Sequence, residues 1–412
     1  MIRARLLTWL GRLPTLLGAA FLAFCGVQIG WNAAVGGRWP ELRFHLKPPP
    51  GYVAGGSVTP SVSTVLDGTW QHDIASRLGV QVMIYRSALQ WKHQAYYSLL
   101  GMSGVSNIIV GRQRELIERN YVNEFCRRDP QTIRQLSASW AGRLRALQDV
   151  VEARGQMFLY VITPSKVAVH PEYLPAGYPC PGAARASEKL TVYLAALHDA
   201  GVHVVDGPAV VKAARGRDVF DAFPQGGIHW DAAGAALAAQ AVIRALDEKG
   251  AHLSPFVFTA ASRNDPQGWD RDLSEVLNLV FKLSYPVPVL TYQSEPVVPC
   301  RPTHIVEIAG SFIYQLNDAL AQTACPPETR TYFYWHNLTQ RTSEGWLHKQ
   351  PENPQQRAAD ILHWADIVIL EENDAGMPES VHGQELMNFI QRYKSSRQPV
   401  CATPAGCDLN PG

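Results

Sequence analysis

The sequence predicts an α/β protein: one mostly parallel β-sheet with helices on both faces, preceded by an apolar N-terminal helix. Helical and extended signals alternate with short links from about residue 129 to 393, the pattern a parallel sheet requires. With 11 Trp, 15 Tyr and 13 Phe in 412 residues, the chain has ample material for a packed core, which excludes disorder as its main state. The charged fraction is 18%, below the usual quarter of a soluble domain, as expected of a chain with an apolar appendage. Lys+Arg (37) and Asp+Glu (36) nearly cancel, leaving a net charge of +1. That lacks the basic excess of a nucleic-acid binder, so nucleic acid is not an expected partner.

The appendage is at the start. Leu13 to Gly37 contains no charged side chain, long enough for a helix across about 30 Å of hydrocarbon. Arg3, Arg5 and Arg12 precede it with no acid among them, so the positive-inside rule keeps the N-terminus cytoplasmic and exports the remainder. The competing reading is a cleavable signal peptide ending near Ala33-Ala34-Val35-Gly36, but the apolar stretch is long for one. Residues 1–37 therefore read as a single-pass anchor or signal segment, and residues 38–63, which include Pro48-Pro49-Pro50-Gly51, as a spacer. Residues 64–412 form the exported domain.

Asp129-Pro130 opens the first long helix with a cap and a proline at its first position. Ile133, Leu136, Trp140, Leu144, Leu147 and Val151 then recur at three- and four-residue spacings, one apolar face, and Gly155 ends it. Met157–Ile162 is a short apolar run, read as a buried strand. Leu190, Leu194 and Leu197 mark a helix, and Val202–Val205 the next strand. Asp231–Asp247 is an Ala-rich helix. Ile305–Ala309 is a strand running into a helix near Ser311; Ala358–Trp364 is helical, Ile367–Leu370 a strand, and Ser380–Tyr393 a closing helix.

Parallel sheets bind ligands beyond the carboxyl ends of their strands, so the residues just after each strand are the candidates for chemistry. Gly310-Ser311-Phe312 sets a serine at a strand-to-helix turn, where a nucleophile can be exposed beside free backbone N–H groups; a plain N-cap is the alternative. Gly227-Ile228-His229-Trp230 sets a histidine at a helix start, able to act as its base or simply to pack beside Trp230. Lys166, after the strand ending at Ile162, could hold an anionic group or face solvent. Glu371, Glu372, Asn373 and Asp374 follow the strand ending at Leu370 and could orient the histidine or cap a helix.

In an oxidising compartment Cys126, Cys180, Cys300, Cys325, Cys401 and Cys407 could form up to three disulfides. The candidate pairs are Cys126–Cys180, Cys300–Cys325 and the local Cys401–Cys407, with the connectivity left open by sequence alone. The absence of a CxxC pair argues against zinc, and no metal or other cofactor is expected. Cys25 lies in the apolar segment.

Taken together these segments resemble the SGNH-hydrolase-like domain of the alginate O-acetyltransferase family (AlgJ/AlgX type) over residues 64 to 395. Leu66-Asp67-Gly68-Thr69-Trp70 is similar to its opening segment, and Ile108-Ile109-Val110-Gly111-Arg112 to the region that follows. Thr163-Pro164-Ser165-Lys166 with Pro171-Glu172-Tyr173-Leu174-Pro175, Gly227-Ile228-His229-Trp230 with Gly234-Ala235, Asp272-Leu273 and Gly310-Ser311-Phe312 come in the family's order. The resemblance implies a three-layer sandwich and a Ser–His–Asp triad with Ser311 as nucleophile and His229 as base. The family's acid, two residues before the histidine, is replaced here by Gly227, and the residue before the serine is Gly310 in place of Asp. The acid is then Asp272, Glu371 or Glu372, or is absent; Asp231 starts a helix and is read as its cap.

What the resemblance implies is a periplasm-facing O-acetyltransferase in the bacterial inner membrane. It would acetylate an exported or cell-surface polysaccharide through an acetyl-serine, with a membrane-bound O-acyltransferase as acetyl supplier. Lys166, Trp230 and Asn373 are the expected substrate contacts. Tyr332, Tyr334 and Trp335 are further aromatic candidates for stacking on sugars. Two alternatives share the fold: a polysaccharide O-acetyl esterase, and a catalytically impaired polysaccharide-binding or assembly protein, motivated by Gly227.

Overall fold

The computed structural model of the chain describes residues 2–35, 39, 58–82, 85–126, 130–180, 186–214, 221–297, 299–300, 303–342, 345–351, 353–378 and 380–395. Most of the expected spacer, Asp129 and the pair Cys401–Cys407 lie outside them. The chain divides into two compact units, Met1–Val105 with Ser274–Lys282, and Ser106–Leu273 with Leu283–Gly412.

The first unit is helical. Its helix Ile2–Val35 contains a 21-residue segment, Thr15–Val35, of mean hydropathy 1.5, long and apolar enough to cross a membrane. Helices Thr69–Gln81 and Tyr85–Ala95 follow. The buried His93 ring bonds the Leu277 carbonyl (Nδ1···O 2.9 Å), Gln90 donates to Asn278 Oδ1 (3.1 Å), and Trp91 meets Phe281 edge-on, which ties residues 274–282 to this unit.

The second unit holds the strands: β1 Ile108–Val110, β2 Leu116–Glu118, β3 Met157–Thr163, β4 Val204–Asp206, β5 Phe256–Arg263, β6 Val287–Ser294, β7 His304–Ala309, β8 Glu328–Phe333, β9 Asn337–Thr342, β10 Gly345–Pro351 and β11 Ile367–Asn373. Seven make one sheet in the order β10-β9-β8-β7-β11-β3-β4, parallel from β8 to β4 and antiparallel from β8 to β10. β1 and β2 form a small hairpin, and β5 and β6 a separate antiparallel ribbon.

β7, β11 and β3 lie inside the parallel part of the sheet and are buried on both faces, as strands covered by helices on either side must be. Leu159, Val161, Ile305, Ala309, Ile367 and Ile369 point to one core with helices Ala232–Asp247 and Ile313–Leu320. Phe158, Tyr160, Ile162, Val306, Ile308, Val368 and Leu370 point to the other, with helices Pro130–Glu152, Ala186–Asp199 and Val381–Ser395. Three layers result, and the α/β fold with a mostly parallel sheet is the one expected. The stripe Ile133, Trp140, Leu144, Leu147 and Val151 is buried, and Gly155 leaves the helix at φ +80°, a conformation open to glycine at no steric cost.

Two boundaries differ from expectation. Residues 328–351, read without strands, form β8 to β10: they are mostly polar, as in Glu328-Thr329-Arg330-Thr331 of β8 and Thr339-Gln340-Arg341-Thr342 of β9, and lack the continuous apolar run of a central strand. The helix expected near Ser311 begins at Ile313, so Ser311 and Phe312 occupy the turn itself. Cys126–Cys180 and Cys300–Cys325 are disulfide-bonded, both as anticipated, and Cys25 is free.

Candidate active site

Three loops meet beyond the carboxyl end of β7. The first carries Ser311 in the turn after Ala309. The second carries His229 just before helix Ala232–Asp247, whose first turn is held by Asp231: its carboxylate accepts the Gly234 N–H (2.8 Å), the cap anticipated from sequence. The third is the short turn Gly268–Arg271, which ends at Asp272.

The side chains form one chain of hydrogen bonds. Ser311 Oγ lies 2.7 Å from His229 Nε2, and His229 Nδ1 lies 2.5 Å from Asp272 Oδ2. An ionised carboxylate only accepts, so Nδ1 carries the proton and Nε2 is left to accept from the serine hydroxyl. Asp272 is itself fixed, since its other oxygen accepts the N–H groups of Ile228 (2.8 Å) and Leu273 (2.6 Å). The imidazole is wedged between Trp269 and Phe312, each 4.7 Å away between ring centres.

The geometry explains both departures at the glycines. A Cβ on Gly227 would fall 2.6 Å from Pro224 Cγ, 2.7 Å from the Trp269 carbonyl and 3.0 Å from the Asp270 carbonyl. The 269–270 backbone fills the space an acid at position 227 would need, and the same segment delivers Asp272 to the histidine. A Cβ on Gly310 would lie 3.3 Å from both Glu371 Oε2 and the Tyr334 hydroxyl, so a larger residue before the serine needs these side chains to give by a few tenths of an ångström.

Of the other expected acids, neither touches His229. Glu371 accepts the Gly310 N–H (2.7 Å) and the Thr163 hydroxyl, bracing the backbone just before the nucleophile. Glu372 faces the opposite way, to Tyr160 and Ser380. Burial pushes both carboxyls up to about 7.

Of the three expected substrate contacts, Lys166 and Trp230 are taken up inside the fold. Lys166 has a side chain only 3% exposed, and its ammonium donates to Glu115 (3.1 Å) and to the carbonyls of Leu116, Pro224 and Gln225, so no N–H is left for a substrate anion. Its role is to pin the 224–225 loop that leads to His229. Trp230 is fully buried, edge-on against Phe312. Asn373 donates to the Pro164 carbonyl (3.1 Å) and accepts the Ala375 N–H (3.1 Å), stitching two loops together. Tyr332 and Trp335 are core residues as well, Tyr332 donating to Asp360 Oδ2 (2.6 Å).

Tyr334 alone of the aromatic candidates lies at the nucleophile. It is 44% exposed and held at φ +45°, an uncommon backbone state for a tyrosine. Its phenol is raised by burial and by the Glu371 charge, while hydrogen bonding from the Ser311 hydroxyl and backbone opposes the rise. Sequence reasoning missed Trp269 and Glu118 entirely. Trp269 offers no signal beyond an aromatic next to Gly268, and Glu118 sits on a three-residue strand too short to register as one. Burial raises the Glu118 carboxyl, and the charges of Asp272 and His229 act on it. Among the described residues no cluster of three or more His, Cys, Asp or Glu could hold a metal.

Residues 121–297 match the family model of the SGNH hydrolase-like domain of the acetyltransferase AlgX, which contains His229 and Asp272 and ends before Ser311. That stretch of the chain is similar to the SGNH hydrolase-like domain of the model. Similar solved structures include the O-acetyltransferase domain of Pseudomonas putida AlgJ: 18% identity, 69% of this chain and 99% of that one, TM-score 0.45. Pseudomonas aeruginosa AlgX is 14% identical over 68% of this chain and 66% of that one, with a TM-score of 0.43. Bacillus cereus PatB1 is 11% identical over 67% and 98%, with a TM-score of 0.43. No curated protein matches the chain.

Proposed function

We propose that this chain is a periplasm-facing O-acetyltransferase, held in the bacterial inner membrane by Thr15–Val35, that acetylates hydroxyls of an exported or cell-surface polysaccharide. In this reading residues 64–412 act as the exported acetyltransferase domain behind an anchor and a spacer. The observation that supports it most is the Ser311–His229–Asp272 hydrogen-bond chain, whose His229 and Asp272 fall within the stretch that matches an acetyltransferase family model.

Ser311 Oγ attacks the carbonyl carbon of an acetyl ester while His229 Nε2 takes its proton. The Gly310 N–H already serves Glu371 and the Ser311 N–H faces the Tyr334 hydroxyl, so the oxyanion draws on N–H groups that follow in the turn. Collapse breaks the ester C–O bond, and the leaving alcohol recovers the proton from His229, leaving acetyl-Ser311. A sugar hydroxyl then gives its proton to His229 and attacks the acetyl carbon, and the serine leaves with that proton. Throughout, Asp272 holds the imidazole in one tautomer and balances its transient charge. A membrane-bound O-acyltransferase is the proposed source of the acetyl donor.

The test uses the full-length chain in detergent with an activated acetyl ester, read by mass spectrometry. An acetyl adduct on the Ser311 peptide, absent from Ser311→Ala, is expected. A folded protein that never forms the adduct would refute the reading, and faster adduct loss with water alone than with any sugar would make it an esterase.

A further inference from the structure

The first unit turns an apolar face to solvent. On helix Tyr85–Ala95 and the π-helical turn Tyr96–Leu100 that continues it, His93 and Tyr97 are buried, whereas Trp91, Leu99 and Leu100 are exposed, with Met102 just beyond. Trp91, Ala95 and Leu99 recur every four residues and so share a face. Gly101, at φ +62°, ends the turn and leaves the two leucines at its tip. Phe281 joins them from segment 274–282: its N–H donates to Gln94 Oε1 (3.0 Å), and its ring meets Trp91 edge-on, 5.9 Å between centres. Trp91, Leu99, Leu100, Met102 and Phe281 are each between 56% and 80% exposed. A single exposed leucine is ordinary, but such a cluster marks a surface that meets a partner.

Its chemistry and its place in the chain both point to lipid. The charged residues of segments 85–102 and 274–282 are Arg86, Lys92 and Lys282, against one acid, Glu275. The Lys92 ammonium lies 5.6 Å from the centre of the Tyr96 ring, so its apolar stem runs along aromatic surface beneath the charge. Protein interfaces are depleted of lysine, whereas a bilayer interface gathers aromatic rings with lysines above them at the phosphates. Thr15–Val35 is long and apolar enough to cross a membrane, and residues 36–57 span at most about 80 Å even when fully extended. The unit therefore stays beside the bilayer that this segment enters. Helix Val62–Leu66, the first described after that stretch, exposes Val62 and Leu66 as well.

We infer that Trp91, Leu99, Leu100, Met102 and Phe281 form a docking face for an anionic bilayer surface, with Lys92 and Lys282 at its phosphates. This rests on the anchored reading of Thr15–Val35 for the nearness of a membrane, but not for the affinity of the face. A helix lying in the interface sinks its apolar side about 5–10 Å into the boundary between headgroups and acyl chains, deep enough to bring Trp91 to the upper chain carbons. Tethering makes the contact intramolecular, so a face too weak to recruit a free protein suffices.

The test uses the full-length chain in protein-free vesicles of phosphatidylglycerol and phosphatidylethanolamine. The emission of Trp91 is isolated as the difference between wild type and Trp91→Phe. Lipids brominated near the top of the acyl chain are expected to quench it about twofold or more, with little quenching by aqueous iodide. The double variant Leu99→Asp/Leu100→Asp, at exposed positions where the melting temperature should hold, is expected to abolish the lipid quenching and open Trp91 to iodide. Trp91 open to iodide and untouched by brominated lipid overturns the face, as does lipid quenching that survives the double substitution. Trp91 closed to both quenchers shows protein on the face, such as a second copy of the chain, and overturns it too. Alkaline carbonate extraction reads the anchor separately. A chain stripped from the vesicles by carbonate, yet quenched by brominated lipid at neutral pH, sinks the anchor and leaves the face standing; a chain that resists carbonate with Trp91 in water does the reverse.

Discussion

Replacing Asp272 by Asn makes the most exacting prediction, because the structure dictates which way the new amide must face. Asp272 Oδ1 accepts two backbone N–H groups, from Ile228 and Leu273, and only an oxygen can take that place. The Asn NH2 is therefore forced into the position of Oδ2, 2.5 Å from His229 Nδ1. There it donates, so Nδ1 must accept and the ring proton moves to Nε2. An Nε2–H cannot take the proton of Ser311. The wrong tautomer in a serine triad lowers turnover about 10⁴-fold, roughly 5.5 kcal/mol of transition-state stabilisation. The single-turnover rate of Ser311 acetylation by an activated ester, followed by mass spectrometry, should fall by about 10³–10⁴ in Asp272→Asn with the melting temperature little changed. Adding Gly227→Asp should not rescue it, because its Cβ meets the Trp269 carbonyl at 2.7 Å. A loss below about tenfold in a folded Asp272→Asn, or rescue by Gly227→Asp, would refute the assignment of Asp272 as the acid.

Two more outcomes follow from buried charge. Lys166→Met leaves Glu115 without its partner, which costs about 3–5 kcal/mol; thermal denaturation should show a fall of roughly 6–15 °C, while the KM for an acetyl ester stays within about twofold, and a large KM change with intact stability would restore Lys166 as a substrate contact. Glu307, Glu371 and Glu372 are each raised by burial to about 7, so their stabilising contribution is fully present below the unfolded value near 4.5 and is lost as pH rises through about 7. The melting temperature should therefore be higher at pH 5 than at pH 8, with each group contributing on the order of 1–3 kcal/mol; the opposite order would show that these carboxyls ionise freely in the folded chain.

What the sequence made legible followed from local chemistry. The stripe from Ile133 to Val151 and the apolar runs of β3 and β11 each declare their own structure, because period and continuity are properties of neighbouring residues. The same is true of Ser311 and His229, which sit at turns that a strand and a helix define. Asp272 was one of three candidate acids and no local feature ranked it, since its role depends on where residues 269–270 run relative to Gly227. Lys166 and Trp230 failed for the complementary reason. A residue type suited to ligands says nothing about whether its donors are already taken, and only the fold shows Lys166 saturated by two segments, 115–116 and 224–225. Tyr334 depends on β8, a strand whose mostly polar sequence hid it.

The collision at Gly227 carries a consequence for how such proteins are found. A pattern that demands an acid two residues before the histidine would discard this chain as inactive, although the same carboxylate position is filled from 43 residues downstream. Filters for this chemistry are better written as distances to an imidazole nitrogen than as spacings along a chain, and sequences set aside for lacking the acid merit inspection for a glycine made necessary by whatever took its place.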